Sequence, residues 1–142
     1  MRSTSLIALA AIVAPAAASA NDDPWALLGG IQIDEIITDT TYEVKKTYPA
    51  AIRDGAQEFR ITGYAVPMYP GQATRDVLLV ADMGDCPFCG SSDHGGSLQV
   101  ELDEPVLIEE GQRISVIGSL ELVDDPETWQ AAILRAAKLV KS

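Results

Sequence analysis

The chain has 142 residues, with 10 basic against 21 acidic side chains and a formal net charge of −11. That balance speaks against nucleic acid and against anionic membrane surfaces as partners, since both need a positive patch. Two cysteines and one histidine are the chain's only thiols and imidazole, so thiol chemistry or a thiolate–imidazole metal site must draw on those three side chains.

Arg2 is the only charge before residue 22. An apolar run from Leu6 to Ala14 follows, Pro15 breaks it, and Ala18-Ser19-Ala20 has small residues where a signal peptidase reads. These are the three parts of a cleavable secretory signal peptide, here residues 1–20. The run is about half of the roughly 20 apolar residues that a membrane span needs, and no cysteine near the cleavage site offers a lipid anchor. The expected location is periplasmic or secreted, with no direct membrane insertion after cleavage. Cleavage leaves 122 residues, with 9 basic against 21 acidic and a net charge of −12. That is one domain, large enough to bury a core without disulfide staples.

Residues 21–48 read as an N-terminal extension. Asn21 to Pro24 is polar, Trp25 to Ile37 shows no clean helical stripe, and Thr38 to Pro49 is a Thr- and charge-rich linking segment. Strand signals begin after Gly55. Gln57 to Val66 alternates, with Phe59, Ile61 and Gly63 on one side, which is the period of a half-buried strand. Gly63 suggests a bulge or a sharp coil of the sheet. Pro67 and Pro70-Gly71 make a turn. Val77 to Ala81 is a short continuous apolar run, as in a strand covered on both sides. A Gly-, Asp- and Ser-rich loop spans Asp82 to Ser97. Leu98, Val100 and Leu102 alternate in the next strand, Val106 to Ile108 is a brief apolar stretch, and Ile114 to Leu122 alternates around Gly118. Asp125-Pro126-Glu127 resembles a helix start, and Trp129 to Val140 favours helix on propensity alone.

Short strands at close spacing indicate an all-β fold over residues 49–142, a small antiparallel barrel or sandwich. Mid-strand glycines suit a sheet coiled tightly enough to close. A Greek-key barrel of the OB type, preceded by an irregular N-terminal segment, fits the size. The succession RITGYAVPMYPG, VLLVADMGDCPFCG, LQVEL and ISVIGSLELVDDPETWQAAILRAAKLV also resembles a family of small exported bacterial proteins with an OB-like fold and largely unassigned function. The resemblance covers roughly residues 42–140, with Gly63-Tyr64, Cys86-Pro87-Phe88-Cys89-Gly90 and Gly118-Ser119-Leu120 its most diagnostic positions. It implies that Ala131 to Val140 is a returning barrel strand rather than a helix. It also implies association with metal-ion transport, and hence an envelope transporter component as partner.

Cys86, Cys89 and His94 lie within nine residues of one another in a single loop. A Cys-x2-Cys pair can turn both sulfurs to one ion, and a histidine shortly after can join them; thiolate and imidazole together suit zinc or copper. Asp82, Asp85 and Asp93 could add an oxygen. Three firm ligands suit a site that exchanges metal, or one completed by a partner, in metal uptake or delivery. Two other readings stay open. Two nearby thiols outside the cytoplasm tend to form a disulfide, although so small a loop gains only about 2 kcal/mol from it. Cys-Pro-Phe-Cys also resembles a thiol–disulfide redox centre. Such a centre sets its first cysteine at a helix N-terminus, and Gly90-Ser91-Ser92-Asp93-His94-Gly95-Gly96 is a poor helix. For His94 an ordinary solvated loop residue is a further alternative. No nucleophile elbow, phosphate-cradling loop or second histidine is present, and no catalytic residue stands out. Glu109-Glu110 and Asp124-Asp125 read as solvated turns. Tyr64, Tyr69 and Trp129 read as core aromatics, with a ligand-binding barrel face as the alternative.

Overall fold

The computed structural model describes residues 23–82 and 96–141. Residues 1–20, read as a signal peptide, lie outside them. In chain order come helix α1 (Pro24–Gly29) and strands β1 (Gln32–Ile37) and β2 (Tyr42–Thr47). A single 3-10 turn (Ala50–Ile52) precedes β3 (Ala56–Pro67), β4 (Thr74–Val80), β5 (Ser97–Val106), β6 (Arg113–Leu122) and β7 (Ala132–Leu139). Among the described residues no helix is long and apolar enough to cross a membrane.

β3 to β7 close into a five-stranded barrel in the order β3-β4-β5-β7-β6, with β6 returning to β3. Neighbours are antiparallel except β5 and β7, which run parallel. The last strand inserts between β5 and β6, which gives the Greek-key, OB-like arrangement expected from the strand pattern. Alternate residues of β3 to β6 fill the interior, Phe59 and Ile61, Val77 and Leu79, Leu98, Val100 and Leu102, Val116 and Leu120, and Leu134 and Ala137 of β7 join them. The returning segment at 131–140 is a strand, not the helix its propensity favours.

The two mid-strand glycines sit where the strand pairing changes. β3 pairs with β6 through Tyr64 and with β4 from Tyr64 onward, so it changes partner beside Gly63. A Cβ on Gly63 would stand 2.6 Å from the Val80 carbonyl oxygen. The bulge lies elsewhere in β3, between Ala56 and Phe59, where Glu58 has φ 54°. Gly118 faces the bulge of β7, where Ala136 takes φ 49° and the register slips against both neighbours.

The N-terminal segment is more regular than its sequence suggests. Asp23 caps α1 by accepting from the Trp25 N–H at 3.1 Å, and Pro24 fits the first helical turn. Leu28 enters the core, and Trp25 Nε1 donates to the Thr62 carbonyl at 2.7 Å. The stretch read as a linker holds β2, paired with β1 over six residues in an antiparallel hairpin. At the other end Asp125-Pro126-Glu127 starts no helix. The Asp125 carboxylate accepts from the Glu127 N–H at 2.9 Å and makes an Asx turn.

Candidate functional site

Strands β4 and β5 meet as a hairpin: Val80 pairs with Ser97, and the Ala81 N–H donates to the Gly96 carbonyl at 2.9 Å. The connection between them is therefore closed at its base. Cys86, Cys89 and His94 belong to that connection and lie outside the described residues, as do Asp85 and Asp93. Asp82 is described, and is exposed at the base of the loop. Among the described residues no group of three or more His, Cys, Asp or Glu is arranged to hold a metal ion.

Beside that base is a groove of about 270 Å³, lined by Leu28, Ile33, Leu78, Leu98 and Trp129 among others. In its wall Gln130 Nε2 donates to Gln99 Oε1 at 2.7 Å. Trp129 is 37% exposed and Tyr69, in the β3–β4 turn, 56% exposed, so neither is the core residue that its size suggests. Tyr64 is half-buried. The outward positions of β4 and β5 include Asp76, Gln99 and Glu101, with no aromatic side chain to stack on a base. Arg135 bridges Glu101 at 2.7 Å and Glu121 at 2.6 Å on the neighbouring outer surface.

The strongest polar cluster is one that the sequence reading did not single out. The Lys46 ammonium donates to three backbone carbonyls, Val123 and Gln130 at 2.7 Å and Asp125 at 2.9 Å. Tyr48 shares its hydroxyl proton between the carbonyls of Val123 at 2.9 Å and Ala131 at 3.0 Å. The Val44 N–H reaches the Pro126 carbonyl at 2.8 Å. Trp129 Nε1 donates to the Tyr42 hydroxyl at 2.7 Å, which donates to Glu35 at 3.0 Å. The β1–β2 hairpin is thus fastened to the β6–β7 connection, residues 123–131, along its length. Burial lowers the pKa of Lys46 from the ordinary lysine value, against a pull upward from Asp125 and Asp124. Burial raises the Tyr48 phenol, and Asp124 adds to that. The signal that could have found it is the period of Tyr42, Val44 and Lys46 in β2, continued by Tyr48 just beyond the strand.

No protein-family model, no curated protein and no solved structure matches the chain.

Proposed function

We propose that this chain is an exported OB-like binding module that holds a zinc or copper ion on Cys86, Cys89 and His94, serving metal uptake or delivery. One observation carries the reading. The complete cysteine and histidine complement of the chain falls in one connection, and that connection leaves and rejoins the barrel on paired strands. The β4–β5 ladder has already closed the loop, so bringing three nearby ligands together costs little further chain entropy. Thiolate and imidazole donors fit a soft or borderline ion, and an incomplete protein ligand set leaves a position for exchange with a partner such as a transporter component.

The experiment is a zinc and copper(I) titration of the reduced, mature chain with proton release followed in parallel. Binding of about one ion with loss of protons is expected. Cys86→Ser and His94→Ala should each weaken it at least tenfold. No binding at micromolar metal, or binding unchanged in both variants, refutes the reading. A thiol count of zero in the exported protein, with a lowered melting temperature in the double Cys→Ser variant, would assign the pair to a disulfide brace. A depressed Cys86 pKa with a potential in the range of redox enzymes would assign it to thiol exchange.

A further inference from the structure

The β1–β2 hairpin has two edges, and the structure treats them differently. The Thr38 N–H donates to the Thr41 carbonyl at 2.8 Å and closes the turn. Antiparallel pairs alternate between bonded and non-bonded. Counting from that turn, Ile36/Glu43, Asp34/Lys45 and Gln32/Thr47 exchange backbone bonds across the hairpin. Ile33, Glu35 and Ile37 therefore turn their N–H and C=O groups away from β2. The same count turns Val44 outward on the opposite edge, where its N–H meets Pro126. That edge is covered. Among the described residues, the outward backbone groups of Ile33, Glu35 and Ile37 have no backbone partner.

β1 has no proline, no lysine and no bulge to blunt its edge, and its six-residue register is unbroken. Ile37 is 70% and Ile36 42% exposed. Its only charges are the carboxylates Asp34 and Glu35. These select the partner by sign. A second copy would bring the same carboxylates on a chain of net charge −12 after cleavage, whereas a basic strand would meet complementary charge.

We propose that β1 is a docking edge for an extended segment of another protein, added as a third strand beside Ile33, Glu35 and Ile37. That segment is basic where it faces Asp34 and Glu35 and apolar where it faces Ile36 and Ile37. Main-chain bonds supply affinity and the side chains supply specificity, as in strand addition generally. The proposal is independent of the metal reading.

The test uses the isotope-labelled mature chain and a ten-residue peptide with Val-Val-Lys-Lys at its centre, with Val-Val-Glu-Glu as the counterpart. The expected result is resonance shifts and slowed amide exchange at Ile33, Glu35 and Ile37, and at least tenfold weaker binding of the acidic peptide. Ile37→Pro removes an outward N–H that the hairpin does not use, and should weaken binding at least tenfold while the melting temperature holds. If that variant fails to fold, the amide-exchange map of the unaltered chain decides. Shifts centred elsewhere, equal binding of both peptides, self-association through β1, or no binding up to about 1 mM peptide would each overturn the proposal.

Discussion

Lys46→Met tests whether the N-terminal hairpin is held by its ammonium or merely lies beside the barrel. Methionine keeps most of the apolar stem, so the change isolates the three carbonyl bonds. Two of these, to Val123 and Gln130, are partly buried at 2.7 Å, and the third, to Asp125, is exposed. A bond to a charged group contributes about 1.5–3 kcal/mol net, and less where water can replace it. Water rewets the Asp125 carbonyl freely and the other two in part, so the expected loss is about 2–3 kcal/mol. For a domain of this size that lowers the melting temperature by roughly 10 °C. Urea unfolding gives the free energy, and amide exchange gives its location. The Val44 amide, bonded to Pro126, should exchange faster than the lowered global stability alone explains, while Val116 and Leu134 in the barrel should not. Lys45→Met, on the opposite and exposed face of the strand, should stay within about 0.5 kcal/mol. A loss below about 0.5 kcal/mol at Lys46, or one shared evenly by all amides, would refute the latch.

Gly118→Ala should cost about 2–3 kcal/mol in urea unfolding, because the new methyl would stand 2.7 Å from the Arg135 carbonyl oxygen and 3.0 Å from the Ala137 Cα, both backbone. Ala136→Gly should move the other way, stabilising by about 0.5 kcal/mol, since Ala136 is exposed and holds φ 49°. A destabilised Ala136→Gly variant would show that the bulge is not strained. The Tyr48 phenol has its pKa raised in the folded state. Its contribution is therefore fully present below the unfolded value of about 10 and is lost as the pH rises through the folded value. Lys46, shifted downward, pushes stability the opposite way over the same range. The informative quantity is thus the difference between the parent and Tyr48→Phe, which should shrink on going from pH 8 to pH 11 as judged by chemical denaturation.

The barrel was legible because its strands bury alternate residues. In β3, β5 and β6 the alternation of Phe59 with Ile61, Leu98 with Val100, and Ile114 with Val116 survives into the structure unbroken. In β7 it does not. The inward positions are Ala132, Leu134 and then Ala137, because the bulge at Ala136 adds a residue. A strand whose period breaks midway, built from alanine, leucine, lysine and arginine, reads as helix on propensity. The hairpin was illegible for two reasons. β1 exposes nearly all of its residues, so no face is marked by hydrophobicity. Its turn carries no glycine and is closed by Thr38 Oγ1 accepting from the Thr41 N–H at 2.9 Å. The latch escaped because its acceptors are backbone carbonyls, which leave no trace in side-chain identity. For the site, the sequence carries the chemistry of Cys86, Cys89 and His94 but not their approach to one another.

The closed barrel constrains where this chain can meet anything else. Each of β3 to β7 has a neighbour on both sides, so none offers a free edge for pairing. Strand addition among the described residues therefore falls to β1 or β2, and the contact of Val44 with Pro126 removes β2. The Lys46 and Tyr48 bonds to residues 123–131 hold the hairpin fixed to the barrel, which lowers the ordering cost of adding a third strand. The ends of the β4–β5 connection are held by a different set of bonds, the ladder at its base. Ile37 and Cys86 lie in different frames, linked through Gln130, which accepts from Lys46 and donates to Gln99, and changes at the two positions should add rather than interact. A coupling well above about 0.5 kcal/mol between them would mean that strand docking and the cysteine loop belong to one site.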